Sequence, residues 1–187
     1  MAGNGQERLE LKLAGIGGQG VLLAAQVLAR AGVQQYRYVT WFPSYGTQKR
    51  GGESTATVVL AQERIHSPIL SRPKAMIMMH TSALERFEST VAPDGLIVVD
   101  SSLVDRPVSR EDVSSCYLPA NQIAIALGSA QLANLVLLGA FLARAQAMPM
   151  ELVEATVEQM LVNEGRQRLV ATNREALRRG FEAAGQT

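Results

Sequence analysis

The chain is 187 residues long, carries 18 basic and 17 acidic side chains and contains one cysteine. That length suffices for a single domain that buries about 70% of its unfolded surface, and the near balance of charge argues against a nucleic-acid or anionic-lipid partner. Cys116 alone cannot form an internal disulfide, a Cys-x-x-Cys zinc site or an iron–sulfur cluster, each of which takes several thiolates. The opening Met1 to Arg8 lacks the basic-then-apolar pattern of a secretory signal, which predicts a cytoplasmic location.

In chain order, Glu10 to Ala14 reads as a first strand. A glycine cluster follows, and the Ala/Leu-rich stretch after it predicts a helix over Gln19 to Gly32, with Gly32 as its stop. Gly15, Gly17 and Gly20 fit G-x-G-x-x-G, with Gly18 and Gln19 between them. Glycines there permit positive φ and close backbone approach, and the free amides of a helix N-terminus favour an anion, so the segment predicts a phosphate cradle. A glycine turn that only packs a helix against a sheet fits the same residues, and both readings stand at this point.

A dinucleotide site makes a further demand, an acid about 20 residues on at the end of the second strand. The second strand is predicted at Tyr38 to Phe42 and holds none, and the first carboxylate after the glycines is Glu53. An NAD or FAD site is therefore disfavoured. The connection from Pro43 to Glu53 is polar and glycine-rich, too long for an ordinary turn. Ser54 to Leu60 is a β-branched strand that turns back into Ile65 to Pro68, which predicts a small antiparallel insert near residues 54 to 66.

Ala75 to Met79 is a short apolar strand, with Thr81 or Ser82 placed to cap a helix through Phe87. Leu96 to Asp100 is a continuous apolar run of the kind buried on both faces of a parallel sheet. A strand near Ser115 to Leu118 leads into helices at about Ala120 to Leu127 and Ala130 to Gln146, then amphipathic helices at Met150 to Leu161 and Asn173 to Ala183 with solvated charges. Strands alternating with helices predict an α/β fold, a modified Rossmann-like, mostly parallel doubly wound sheet with C-terminal helices. Ile123 to Ala143 carries no charge and, at about 20 residues, is long enough to span a bilayer. Gly128-Ser129 breaks it and Gln131 and Asn134 sit inside it, so a buried helix accounts for it better.

Chemistry is sparse. The chain has no G-x-S-x-G elbow and no P-loop, and only His66 and His80 offer imidazole, each read as structural or surface. No converging metal ligands stand out, and Cys116 reads as a small core residue. What remains is the pairing of Gly15–Gly20 with Ser44–Glu53, both placed at the carboxyl ends of adjacent predicted strands, where open α/β sheets bind ligands. Arg50 could fork onto a phosphate or carboxylate with Glu53 orienting it; an Arg50–Glu53 surface pair of little worth is the alternative.

Gly15-x-Gly17-Gly18-Gln19-Gly20 with Ala24-Ala25, then Pro43-Ser44-Tyr45-Gly46 followed by Arg50-Gly51-Gly52-Glu53, Ile65-x-Ser67-Pro68 and Ala133-Asn134-Leu135 to Ala140 occur in one order. Together they resemble the gamma subunit of 2-oxoacid:ferredoxin (acceptor) oxidoreductases, over roughly residues 10 to 180. The resemblance implies a subunit of a complex that decarboxylates a 2-oxoacid oxidatively, joins the acyl group to coenzyme A and passes two electrons to ferredoxin. It favours 2-oxoglutarate, with pyruvate, branched-chain oxoacids and indolepyruvate open. It implies alpha and beta partners and a ferredoxin-like delta chain in some complexes, with thiamine diphosphate, magnesium and iron–sulfur clusters held by those chains. The isolated polypeptide is then expected to be inactive and to homodimerise or aggregate.

The same resemblance marks Gly15, Gly17, Gly18, Gln19, Gly20, Ser44, Tyr45, Gly46, Arg50, Gly51, Gly52, Glu53 and Asn134 as residues near coenzyme A or the shared active site, with no catalytic side chain. Asn134 would hydrogen-bond toward the glycine loop or across a subunit interface, or stand as a satisfied core asparagine. The helix from Ala130 to Ala143 would suit burial within the assembly. A stand-alone nucleotide- or coenzyme-A-binding regulatory module is the alternative function.

Overall fold

The strand-forming segments assemble into one six-stranded sheet in the order β2-β3-β1-β4-β5-β6. This computed structural model describes residues 7–45, 52–146 and 148–185, Tyr45 by its backbone only. The strands are β1 (Arg8–Ile16), β2 (Tyr38–Tyr45), β3 (Glu53–Ala61), β4 (Ala75–Met78), β5 (Leu96–Asp100) and β6 (Ser114–Leu118). β1, β4, β5 and β6 run parallel, while β3 lies between β2 and β1 and is antiparallel to both. The sheet is therefore mostly parallel with one reversed strand. The antiparallel element is that strand, and residues 62–66 form no second one.

Alternation of side chains sends each strand's residues to two unlike faces. On one face Leu11, Leu13, Val58, Leu60 and Ile77 pack against α1 (Val21–Gly32), α4 (Ala133–Ala145), α5 (Met150–Asn163) and α6 (Val170–Gly185). On the other, Ala14, Met76, Met78, Ile97 and Val99 meet Ala83, Leu84 and Phe87 of the short α2 (Thr81–Phe87). Each fully buried Leu or Ile contributes about 1.5–3 kcal/mol. The remaining helix, α3 (Ala120–Ala126), follows β6 directly.

α4 is sunk most deeply. Every residue from Ala133 to Leu142 is buried within this chain, so the burial expected of it in an assembly is met by the chain's own sheet and by α6. α4 and α6 meet through glycines: a Cβ on Gly139 would fall on the Leu177 carbonyl, and one on Gly180 on the Val136 carbonyl. Backbones this close gain dispersion contacts that any side chain would forfeit.

The uncharged run from 123 to 143 is split by Gly128, at φ 101°, and no helix among the described residues is long and apolar enough to cross a membrane.

Three local expectations are corrected. α2 is capped by His80, whose Nδ1 accepts the Ser82 N–H at 3.2 Å, so neither Thr81 nor Ser82 is the cap. Gly32 is the last residue of α1 rather than a left-handed stop, and Val33 continues with its N–H on the Ala29 carbonyl. The charges of α5 do not all face solvent: Glu154 is buried between Arg174 and Arg178 of α6, with bonds of 2.5–3.1 Å.

Candidate functional site

β1 ends at Ile16 on the carboxyl edge of the sheet, and the chain turns over four residues before α1 starts at Val21. Gly18 and Gly20 make that turn at φ 99° and 77°, backbone that side-chain-bearing residues rarely adopt. Gly20 is the N-cap of α1 and, having no side chain, caps none of its amides; the first turn holds no acid. Among the described residues the amides of Gly18, Gly20, Val21, Leu22 and Leu23 have no acceptor. An uncapped N-terminus with several free amides at the positive end of a 12-residue helix is suited to one anionic oxygen cluster.

The other loop amides are occupied, and they fix the loop's shape. Gln19 reaches back so that its Oε1 accepts the Ile16 N–H at 2.8 Å and its Nε2 donates to the Met79 carbonyl at 2.7 Å. The side chain thus bridges the ends of β1 and β4. Gly15 has no room for a side chain because Gln19 Oε1 occupies the place of a Cβ.

The second glycine-rich segment comes to the same edge by a different route from the one expected. β2 and β1 are not adjacent, since β3 separates them, but Ile16 pairs opposite Glu53 and Tyr45 opposite Ser54. The Gly17 N–H donates to the Gly52 carbonyl at 2.9 Å, tying the two segments together. Ser44 is exposed on β2. Gly46, Arg50, Gly51 and the side chain of Tyr45 lie outside the described residues.

Glu53 is engaged by α2: its Oε2 accepts from Arg86 Nη1 at 2.5 Å. The pair is largely exposed, so its worth is small. Lys12 lies near both and places its ammonium 3.9 Å from the centre of the Phe87 ring. Burial pushes its pKa down, Glu53 opposing and Arg86 assisting. Sequence reasoning missed Lys12 and Arg86; the available signal was a lysine within an otherwise apolar strand.

Asn134 joins the loop from behind. It is 2% exposed, and its Nδ2 donates to the Gly20 carbonyl at 3.0 Å, a bond of about 1 kcal/mol. A Cβ on Gly20 would collide with that amide group, so the glycine is needed both for its φ and for this contact. Asn134 is thus a core residue that reaches the glycine loop, and its Oδ1 is buried with no partner. At the end of β5, Asp100 is fully buried; its Oδ1 accepts from the amides of Ser102 at 3.0 Å and Asn121 at 3.3 Å, and its Oδ2 has no partner. Burial pushes its pKa up more than those bonds lower it.

Neither histidine enters this arrangement as a base. His66 is exposed and His80 is engaged as a cap. Cys116 is a buried core residue whose thiol burial pushes up.

The chain is similar to known proteins over most of its length. Residues 10–183 match the family model described as pyruvate ferredoxin/flavodoxin oxidoreductase. The ketoisovalerate oxidoreductase subunit VorA of Methanothermobacter thermautotrophicus is 37% identical over 135 residues, which is 72% of this chain and 28% of that protein. The 2-oxoglutarate synthase subunit KorC of Archaeoglobus fulgidus is 31% identical over 175 residues, 93% of this chain and 87% of that one. The gamma subunit of a keto/oxoacid ferredoxin oxidoreductase from Geobacter sulfurreducens has the same fold, with a TM-score of 0.82 at 25% identity over 96% of this chain and 99% of that chain. A 2-oxoglutarate:ferredoxin oxidoreductase from Magnetococcus marinus contains the fold within 32% of its chain, with a TM-score of 0.87 at 21% identity over 97% of this one. The chain thus spans about a quarter of the VorA relatives and most of KorC.

Proposed function

The chain belongs to the pyruvate ferredoxin/flavodoxin oxidoreductase family, and we propose that it acts there as the gamma subunit of a coenzyme-A-acylating 2-oxoacid:ferredoxin oxidoreductase. In that reaction the 2-oxoacid loses its carboxylate as carbon dioxide. The former carbonyl carbon becomes the acyl carbon of a thioester with coenzyme A, and the two electrons released pass to ferredoxin. We take 2-oxoglutarate as the substrate, supported by KorC, which this chain matches at 31% identity over 93% of its own length, where VorA, at 37%, is matched over 72% and the pyruvate synthase subunit PorC of Thermotoga maritima at 27% over 92%.

The chemistry of the donors divides the labour. One buried cysteine cannot ligate an iron–sulfur cluster, and among the described residues no three His, Cys, Asp or Glu side chains converge. On this reading thiamine diphosphate, magnesium and the clusters belong to alpha and beta partners and, in some complexes, to a ferredoxin-like delta chain. This chain's own contribution is the amide nest of Gly18, Gly20 and the first turn of α1, shaped by Gln19 and Asn134, which suits one phosphate group of coenzyme A. The related Magnetococcus enzyme is described with 2-oxoglutarate, coenzyme A and succinyl-CoA bound.

The observation that carries this reading is the family match across residues 10–183. Its test is purification through a tag on this chain, followed by a coenzyme-A-dependent assay of viologen reduction with a panel of 2-oxoacids. Co-elution of chains bearing a thiamine motif and cluster cysteines, with activity greatest on 2-oxoglutarate, is expected. Activity of the chain alone, or a lone monomer that binds coenzyme A and recruits no partner, overturns it.

A further inference from the structure

Between Ile16 at the end of β1 and Val21 at the start of α1 the chain reads Gly17-Gly18-Gln19-Gly20, so Gln19 carries the one side chain of the turn. Glycine gives up more conformational freedom on folding than any other residue, and a turn built mainly of glycines is not held in one shape by local sterics. Gly18 and Gly20 nevertheless sit at φ 99° and 77°. A contact from outside the glycines has to select that conformation.

Gln19 supplies it. Its backbone N–H donates to the Ile16 carbonyl at 3.2 Å while its Oε1 accepts the Ile16 N–H at 2.8 Å, so one residue engages both main-chain groups at the end of β1. Its Nε2 donates at 2.7 Å to the carbonyl of Met79, just past β4 and 60 positions away. All three bonds go to main chain, which pins the turn to two neighbouring strands of the sheet. The pair of side-chain bonds needs an acceptor and a donor on one planar group of this length, as a glutamine amide provides; an ionised glutamate offers acceptors alone, and asparagine is a methylene shorter. Gly15 completes the seat. A Cβ there would fall on Gln19 Oε1 and lie 3.0 Å from Met79 Cβ, so the missing side chain leaves room for the amide group.

We propose that Gln19 is the positioning residue of the amide nest: it makes no contact with the ligand, and it holds the turn in the shape that leaves the amides of Gly18, Gly20 and the first turn of α1 free for a phosphate of coenzyme A. A turn ordered beforehand removes from binding the entropic cost of ordering it, so the contribution of Gln19 is read in affinity rather than in the chemical step. The inference rests on the proposed binding of coenzyme A at this edge and adds which side chain sets its strength.

The test uses the complex purified through a tag on this chain, with KM for coenzyme A and kcat measured well below the melting temperature. Gln19→Met keeps the length of the side chain and removes both of its hydrogen bonds. It should raise KM for coenzyme A about tenfold, as loss of one or two such bonds does, and leave kcat unchanged. Gly15→Ala keeps the glutamine but displaces its amide group, and should raise KM by a similar factor. The double variant should be no worse than either single one, because both remove the same contacts; independent effects would multiply to about a hundredfold. An unchanged KM in Gln19→Met, a change in kcat alone, or effects that multiply overturns the inference. A photoreactive coenzyme A analogue added to the parent complex separates these results from failure of the site itself. Labelling of this chain supports the site, and labelling of partner chains alone removes the site and the inference with it.

Discussion

The helical layer of α4, α5 and α6 and the carboxyl edge of the sheet are built from similar residues and are finished differently. In the layer, Gly139 and Gly180 are glycines for want of space, and the buried Glu154 is bonded by two arginines. At the edge, Gly18 is a glycine for its φ and, among the described residues, has open space around it, and several amides and two buried side-chain oxygens, Asp100 Oδ2 and Asn134 Oδ1, find no partner there. The third buried unpartnered side-chain atom among the described residues, Thr40 Oγ1, is on β2. Polar groups left without partners cost stability, so the edge carries a cost that the helical layer does not. The first region holds the molecule together, and the second carries the groups on which the proposed role rests.

The largest expected effect separates the two kinds of glycine. Gly139→Ala drives a methyl group into the Leu177 carbonyl, and neither backbone can yield without parting α4 from α6. A loss of about 4 kcal/mol is expected in urea unfolding. Gly18→Ala meets no atom and suffers only its positive φ, about 1–2 kcal/mol. If the two variants unfold alike, the distinction between packing glycines and conformational glycines fails.

The glycine loop was legible in the sequence because a strand, a glycine cluster and a helix are contiguous and need no tertiary knowledge. Most strands and helices were likewise legible from local pattern. The place of β3 was not. Ser54 to Leu60 reads as a strand whether it forms a private hairpin or enters the sheet between β2 and β1, and only the pairing of Leu11 with Val58 and Trp41 with Val58 decides it. The bond from Arg86 to Glu53 was not legible, because Arg86 is carried on α2, 33 positions away. Glu154 was read as solvated because glutamate on an amphipathic helix usually is; its burial depends on Arg174 and Arg178 from another helix. The lining of the edge by Asn134 was read from the family pattern, and its bond to Gly20 spans 114 positions that no local rule connects.

An intermediate effect tests how complete the helical layer is. Burial alone would raise the pKa of Glu154, but hydrogen bonds and charge from Arg178 and Arg174 outweigh it and hold the carboxyl below its ordinary 4.5. A carboxylate depressed in the folded state contributes stability in full above its unfolded value and loses it as pH falls through the folded one. Glu154→Gln is expected to cost about 1–2 kcal/mol at pH 7, with both arginines free to return to solvent. The difference from the unmodified chain should shrink below pH 4.5. A difference that is constant from pH 7 to pH 3 in chemical unfolding would remove the ion pairs from the account of this layer.

The smallest effect has the opposite sign and belongs to the edge. Burial raises the pKa of Asp100 above its ordinary 3.8, against the lowering by the amides of Ser102, Asn121 and Ala120. A carboxyl whose folded pKa is raised penalises the folded state as pH climbs from the unfolded value through the folded one, and the penalty is complete above both. Asn keeps an acceptor for the Ser102 and Asn121 amides and carries no charge, so Asp100→Asn should match the unmodified chain near pH 3.5 and exceed it by about 1 kcal/mol at pH 7. The amide nitrogen it introduces takes the place of an oxygen that has no partner, so nothing already made is broken. Thermal melts of the two chains across that pH range decide the matter. A variant less stable at pH 7 than at pH 3.5, relative to the parent, would mean that the charge on Asp100 is wanted in the folded state and that this corner of the edge is already satisfied.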